Sequence, residues 1–174
     1  VLMNGSAAGQ GSPRDKVIVY NFQDASDSTD YRYYSYIIAD SIAVELKKKE
    51  QFDVQTFPAI VDYIDAGDTT SEKAKNHIVY LSERGREFNA SFIVSGQYLV
   101  DKKQKRITIK SQIFNVHDQK IIRIDERSDQ LGALLFLVID NITTKINRQL
   151  DTLYEERKEL AEKSPYISLY NAMR

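Results

Sequence analysis

The sequence YRYYSYIIADSIAVEL, residues 31–46, decides the fold class of this 174-residue chain. Apolar side chains recur at every fourth position, at Tyr34, Ile38, Ile42 and Leu46. This spacing places them on one face of an α-helix, where they can be buried together. Lysines at 47–49 follow, and their charges complement the negative end of the helix dipole. The helix is therefore expected to end near Glu50.

The segments on either side of this helix have the patterns of β-strands. Residues 17–22 (VIVYNF) form an apolar run, which is typical of a strand buried on both faces of a sheet. Residues 52–57 (FDVQTF) alternate in polarity, which predicts a strand with one wetter face at a sheet edge. The loop 23–30 ends in N-cap candidates, Ser28, Thr29 and Asp30. Because a helical crossover joins the two strands, they should be parallel.

A second long helix is predicted at residues 71–88, after a short helical turn at 59–64. Ser71 is a suitable N-cap for it. Its apolar stripe consists of Ala74, Ile78, Leu81, Gly85 and Phe88. Because Gly85 lies within that stripe, we expect it to allow close packing against a strand.

Three further strands follow in quick succession, at residues 91–100, 106–116 and 120–127. Their connections are short and polar, which predicts antiparallel hairpins. Gly96 inside the first of these strands indicates a close backbone approach or a bulge. The last strand alternates charged side chains, which suits a protected sheet edge.

A final helix, with Ser128 and Asp129 as cap residues, carries an apolar stripe through Leu153 and is broken at Ser164–Pro165. The order of elements is then β-α-β-(α)-α-β-β-β-α. We predict an α/β fold whose mixed five-stranded sheet is parallel in its first half, an antiparallel meander in its second, and flanked by helices. We interpret 16–163 as a single domain, 1–15 as a disordered or cloning-derived leader, and 164–174 as a tail or the start of a further segment.

Three stretches resemble the TolB amino-terminal-like domain and its relatives, the CsgG and LpoB type of bacterial envelope proteins. They are VIVYNFQDAS (17–26), IADSIAVEL (38–46) and GREFNASFIVSGQY (85–98). A fourth, residues 109–122, is similar to the strand–turn–strand of that family. It departs from the pattern at Asn115, where Asp is common, and at Gln119, where Gly is common. The resemblance covers about 17–153 and rests on structural motifs.

The resemblance implies a non-enzymatic module of the periplasm or outer membrane, often on a lipoprotein, that binds other envelope proteins or associates with itself. It implies membrane association only through a lipid anchor or a segment outside this sequence. The composition adds exclusions: there is no cysteine for a nucleophile or a thiolate metal site, and a net charge of −1 gives no general attraction to nucleic acid. No apolar run is long enough to span a bilayer, and no signal peptide is present.

The tyrosines at the start of the first helix are the strongest candidate for a partner-binding site. Tyr34 belongs to the apolar stripe, whereas Tyr33 and Tyr36 lie off it and are expected to face outward. Exposed tyrosines are favoured at protein interfaces; the alternative is that they pack on a loop or a terminal segment. Gln23, Asp24 and Asp27, in the loop after the first strand, are predicted to contribute to the same surface.

The remaining candidates carry less specific signals. Two acidic trios, at Asp24, Asp27 and Asp30 and at Asp62, Asp65 and Asp68, lack the spacing of a calcium loop, so we interpret them as cap and turn residues. His77 and His117 have no neighbours that suggest a triad or a zinc set. Neither a catalytic group nor a cofactor or metal site is predicted. The alternative function is a sensor that binds a small ligand or nucleotide in the crevice at the carboxyl ends of the parallel strands.

Overall fold

The structure is a computed structural model that describes residues 14–26, 29–59, 71–128 and 135–163. Several predictions fall outside these ranges: the cap residues Ser28 and Asp129, most of the helical turn at 59–64, the partner-binding candidate Asp27, and the acidic trio Asp62, Asp65 and Asp68.

The described strands form one mixed sheet. They are β1 (Asp15–Tyr20), β2 (Gln23–Asp24), β3 (Phe52–Phe57), β4 (Phe92–Asp101), β5 (Arg106–Asn115) and β6 (Lys120–Ser128). The order across the sheet is β3-β1-β4-β5-β6, and β2 pairs with β4. β1 is parallel to β3 and β4, while β4, β5 and β6 are antiparallel. This confirms the predicted sheet, including β3 at one edge, and adds the two-residue strand β2.

Within the described ranges, three helices flank the sheet: α1 (Tyr33–Lys47), α2 (Glu72–Glu87) and α3 (Leu135–Lys163). Ser71 caps α2 as predicted, since its hydroxyl accepts a hydrogen bond from the Ala74 amide at 3.1 Å. The cap predicted for α1 at Thr29 and Asp30 is wrong. A 3-10 turn, Thr29–Tyr31, occupies these residues, and Arg32 precedes the helix without a side-chain cap.

α1 and α3 cover one face of the sheet. The predicted stripe of α1 is buried there, as is the stripe of α3, against β-strand residues that point to the same side. The shared core includes Val17, Val19, Ile107, Ile109, Ile38, Ile42, Ile142 and Ile146. Complete burial of each large aliphatic side chain contributes about 1.5–3 kcal/mol, so this layer dominates the stability of the fold.

α2 covers the other face over a smaller apolar cluster formed by Ile18, Tyr20, Leu81, Ala90, Ile93 and Phe114. Gly85 packs closely, as predicted: a Cβ atom there would lie 2.6 Å from Cγ2 of Val116, just after β5. Beside this cluster is a buried polar group. The Gln112 amide nitrogen lies 3.0 Å from Nε2 of His77 and 3.0 Å from the Ser95 hydroxyl, so His77 is a structural residue of this interface.

Candidate partner-binding surface

Tyr33 and Tyr36 lie on the outer side of α1 at its first turns. Their exposed fractions are 52% and 60%, while that of Tyr34 between them is 6%. The helical spacing therefore separated the buried tyrosine from the two exposed ones correctly. Large exposed aromatic side chains can bury much apolar area on contact with a partner while their hydroxyls stay hydrated.

Below this surface, stacked and edge-on tyrosine rings connect α1 to the sheet. The ring of Tyr34 lies 4.2 Å from that of Tyr33, 5.6 Å from that of Tyr31 and 6.1 Å from that of Tyr98. The Tyr98 hydroxyl donates a hydrogen bond to the Tyr31 carbonyl at 2.8 Å. Burial raises the pKa of Tyr34 and of Tyr98, so both phenols stay protonated at neutral pH. The exposed ring of Tyr33 therefore packs on the buried ring of Tyr34, which also contacts Tyr31 and Tyr98.

The hairpin between β4 and β5 borders the same surface. Lys102 forms an ion pair with Asp30 and lies 5.4 Å above the ring of Tyr31. The hydrogen bond to Asp30 raises the pKa of Lys102. In the sequence, residues 102–106 (KKQKR) are a basic stretch about 70 positions away from the tyrosines. The fold brings this turn to the start of α1, where it adds a cation to the rim of the aromatic surface.

Gln23 and Asp24 are less accessible than the tyrosines. They form β2, are half-buried, and pair with Gln97 and Tyr98 of β4. Oδ1 of Asp24 accepts a hydrogen bond from the Ser26 amide at 2.8 Å, which is the turn-forming role expected for such an aspartate. The structure thus places Gln23 and Asp24 at the base of the surface and Tyr33 and Tyr36 on its outside.

The carboxyl end of β1 is covered by the chain itself. The Phe22 amide donates to the Ser35 carbonyl at 3.0 Å, and the Asn21 amide donates to the Phe57 carbonyl at 2.8 Å. The Phe22 ring occupies the space above Gly96, where a Cβ atom would overlap it. Gly96 therefore permits the close approach that was predicted. Within the described ranges, no three His, Cys, Asp or Glu side chains are arranged to hold a metal ion.

A second polar cluster, which no pattern in the sequence predicted, lies at the opposite end of the sheet. The Ser91 hydroxyl donates to Oδ1 of Asp15 at 3.0 Å, and Arg157 of α3 donates to both side chains. Nε2 of His117 lies 3.1 Å from the Arg157 guanidinium. Burial raises the pKa of Asp15, although the charge of Arg157 opposes that shift.

This cluster contains a serine, a histidine and an aspartate without the geometry of a catalytic triad. In a triad the serine proton points to the imidazole, whereas Ser91 donates its proton to the carboxylate of Asp15. Its four members come from β1, the start of β4, the turn after β5, and α3. The cluster therefore links the C-terminal half of α3, through Arg157, to the sheet. Asp15 belongs to β1, which begins two residues before the predicted strand.

Comparison with known structures shows the fold class. TolB from Acinetobacter baumannii matches with a TM-score of 0.50 and 12% identity, over 79% of this chain and 28% of that chain. The lipoprotein GNA1162 from Neisseria meningitidis has a TM-score of 0.47 and 14% identity, over 76% of this chain and 96% of that chain. The LpoB C-terminal domain from Escherichia coli has a TM-score of 0.43 and 10% identity, over 67% and 83% respectively.

No protein-family model matches the sequence, and no curated protein matches it. The likeness to solved structures therefore concerns the fold, which is TolB-like. This confirms the predicted resemblance at the level of the fold, and its CsgG part stays a prediction. The chain spans 28% of the TolB structure, so the activity of a whole protein of that kind is not transferred. Among the described helices, none has the length and apolarity needed to cross a bilayer.

Proposed function

We propose that this chain is a non-enzymatic interaction or assembly module of the bacterial cell envelope, located in the periplasm and associated with the outer membrane. It binds another envelope protein or a second copy of itself. The observation that carries the proposal is the exposure of Tyr33 and Tyr36 on the outer side of α1, with Tyr33 packed against the buried ring of Tyr34. The TolB-like fold agrees with the sequence resemblance to envelope proteins.

In this proposal Tyr33 and Tyr36 form the centre of the contact. Lys102 lies at the rim, and Gln23 and Asp24 of β2 lie at the base. The contribution of Asp27 to the same contact stays a prediction from the sequence. Aromatic residues at the centre of an interface carry much of its binding energy, because they fill pockets from which water is excluded. A charged rim adds association rate and specificity more than affinity.

The alternative function, a small-ligand or nucleotide sensor, gains no specific support. The crevice that it needs lies beyond the carboxyl ends of the parallel strands. In the described part of the chain, Phe22 and the backbone of residues 21–24 occupy the end of β1 and bond to β3, β4 and α1. A thermal-shift screen with sugars, nucleotides and peptidoglycan fragments tests this alternative, and a reproducible stabilising ligand would favour it.

The test of the proposal is the double variant Tyr33→Ala/Tyr36→Ala. We expect it to weaken self-association, measured by sedimentation, or capture of an envelope partner, measured by affinity chromatography, by at least about tenfold. Loss of the Tyr33–Tyr34 ring contact costs only about 0.5–1.5 kcal/mol, so the variant should remain folded by circular dichroism.

The matched control is Val79→Ala/Leu160→Ala, which removes two other exposed apolar side chains, from α2 and α3. We expect it to bind like the wild type. If the control loses binding while the tyrosine variant keeps it, the contact lies elsewhere on the molecule and the proposal fails.

A further inference from the structure

A polar groove of about 430 Å³ lies between α1 and α3. It is separate from the tyrosine surface, since its α1 residues belong to the last turn of that helix and beyond. Glu45 and Lys49 line it on this side. On α3 the lining includes Asp140, Thr143, Asn147 and Asp151, whose spacing of three, four and four residues places them on one helix face. A groove of this size can hold a small organic group.

Two residues that line the groove each have a buried oxygen atom without a hydrogen-bond partner in the described part of the chain. These atoms are Oγ1 of Thr143 and Oδ1 of Asn147, on side chains that are 4% and 8% exposed. Buried polar atoms in proteins are almost always hydrogen-bonded, because an unpaired one loses its hydration without compensation. The two residues lie one helical turn apart, beside an apolar stripe that needs neither of them. Folding therefore does not explain why both are polar.

The charges around these atoms are not equivalent. Nζ of Lys49 donates a hydrogen bond to Oδ2 of Asp151 at 2.5 Å, and the side-chain Nε2 of Gln51 donates to Oδ1 of Asp151 at 3.1 Å. Both oxygens of the Asp151 carboxylate therefore already have partners. Asp140, one turn before Thr143, makes no ion pair within the described ranges. Arg148 is exposed at the outer rim. Oδ1 of Asn147 and the carboxylate of Asp140 can only accept hydrogen bonds, and the Thr143 hydroxyl can accept one as well as donate one.

We propose that this groove binds a primary ammonium group. An ammonium group has three N–H donors and no acceptor. Once the Thr143 and Asn147 side chains rotate to turn their oxygens toward the groove, it can donate to both of them and to the carboxylate of Asp140. Hydrogen bonds from a charged donor are about twice as strong as neutral ones. The same chemistry is offered by a free aliphatic polyamine and by the lysine side chain of a partner protein.

The first experiment compares three five-carbon probes by calorimetry and by thermal shift: cadaverine, 1,5-pentanediol and glutarate. We expect cadaverine to bind and to raise the melting temperature, because a ligand that binds only the folded state stabilises it. The neutral diol and the dianion should give no shift. Added salt should weaken cadaverine binding, since the groove is open to solvent.

The second experiment locates the site with Asn147→Leu and Thr143→Val. Each removes one unpaired acceptor and should weaken cadaverine binding by about tenfold or more. The matched control is Thr152→Val, also on α3, whose exposed hydroxyl bonds to the Arg148 carbonyl outside the groove. This control should bind cadaverine like the wild type. Circular dichroism of all three variants shows that any loss is not unfolding.

The source of the ammonium group is distinguished by comparing cadaverine and spermidine with N-acetyl-lysine methylamide. Equal binding of the lysine derivative indicates a side chain of a partner protein, and binding of the free amines alone indicates a polyamine. The proposal is overturned if cadaverine gives no shift, if glutarate or the diol binds as well, or if both groove variants bind like the Thr152→Val control. None of these outcomes bears on the tyrosine surface.

Discussion

On one face of the sheet, α1 and α3 cover a large apolar layer, whereas on the other face α2 covers a smaller apolar cluster beside a buried, hydrogen-bonded set of polar side chains. Between α2 and the sheet, His77, Gln112 and Ser95 form a hydrogen-bonded chain. Oε1 of Gln112 has no partner among the described residues.

The difference in apolar area between the two helical layers indicates that they contribute differently to the stability of the fold. Apolar burial scales with area and dominates folding free energy, so the α1/α3 layer should set global stability. A polar interface contributes less and depends on complete hydrogen bonding. We therefore expect α2 to open at a lower free energy than α1 and α3. The proposed contact surface and the proposed groove both involve the more stable layer, where side-chain positions are held firmly.

The largest expected effect comes from cutting a fully buried aliphatic side chain on each face. Ile42→Ala on α1 should destabilise the protein by about 3–5 kcal/mol, because the crowded layer cannot collapse into the cavity. Leu81→Ala on α2 should cost only about 2–3 kcal/mol, because a single helix over a small cluster can readjust. Urea denaturation measures both. Equal losses of unfolding free energy in the two variants would show that the two faces of the sheet contribute alike to stability, which would contradict the proposed difference.

The next effect concerns the polar chain under α2. Gln112→Met keeps the volume but leaves His77 and Ser95 without this partner, which should cost about 1–3 kcal/mol. Hydrogen exchange should show faster opening of α2 while α1 keeps its protection. Gln104→Met, in the exposed turn between β4 and β5, is the control and should change neither quantity. Uniform acceleration across the protein would mean that α2 is not a separate unit.

The smallest effect concerns Asp15, the buried charge at the lower end of the α1/α3 layer. Burial raises its pKa in the folded state above the ordinary value of 3.8. At pH values between the ordinary pKa and the raised pKa of the folded state, the folded protein binds more protons than the unfolded chain. The free energy of unfolding therefore falls as the pH rises through this window. Above the raised pKa, the full loss of stability from burying the ionised Asp15 carboxylate is present.

Asp15→Asn should remove this pH dependence. The difference in unfolding free energy between wild type and variant is expected to change between pH about 3 and 7, in the direction of a relatively less stable wild type at higher pH. Urea denaturation across that range measures it, with the exposed Asp53→Asn on β3 as the control. An opposite slope would mean that the attraction of Arg157 outweighs the burial of the carboxylate.

The sequence predicted the fold well because its signals are periodic and local. The four-residue spacing from Tyr34 to Leu46 and the stripe of α3 both correspond to buried faces. The short connections before β5 and β6 left only antiparallel pairing. The start of α1 was misjudged because Thr29 and Asp30, although good cap residues, form a 3-10 turn instead.

The candidate site was predicted in part. Helical spacing alone separated Tyr33 and Tyr36 from Tyr34. It did not reveal that Lys102 lies over Tyr31, because the hairpin tip is distant in sequence. Thr143 and Asn147 carry a local signal in the sequence, since they are two polar residues one helical turn apart beside an apolar stripe. Asp15 and Arg157 had none, since 142 positions separate the partners of that ion pair.

The sequence by itself thus determined the elements, their order and which face of each is buried, because hydrophobic periodicity acts over a few residues. Only the tertiary structure decided which residues far apart in the sequence come into contact. It placed a lysine beside the tyrosines, an arginine of α3 on the first residue of β1, and two residues with unpaired oxygens in the groove lining that includes Lys49. Such contacts depend on how complete helices and strands pack together, and no local pattern in the chain encodes that packing.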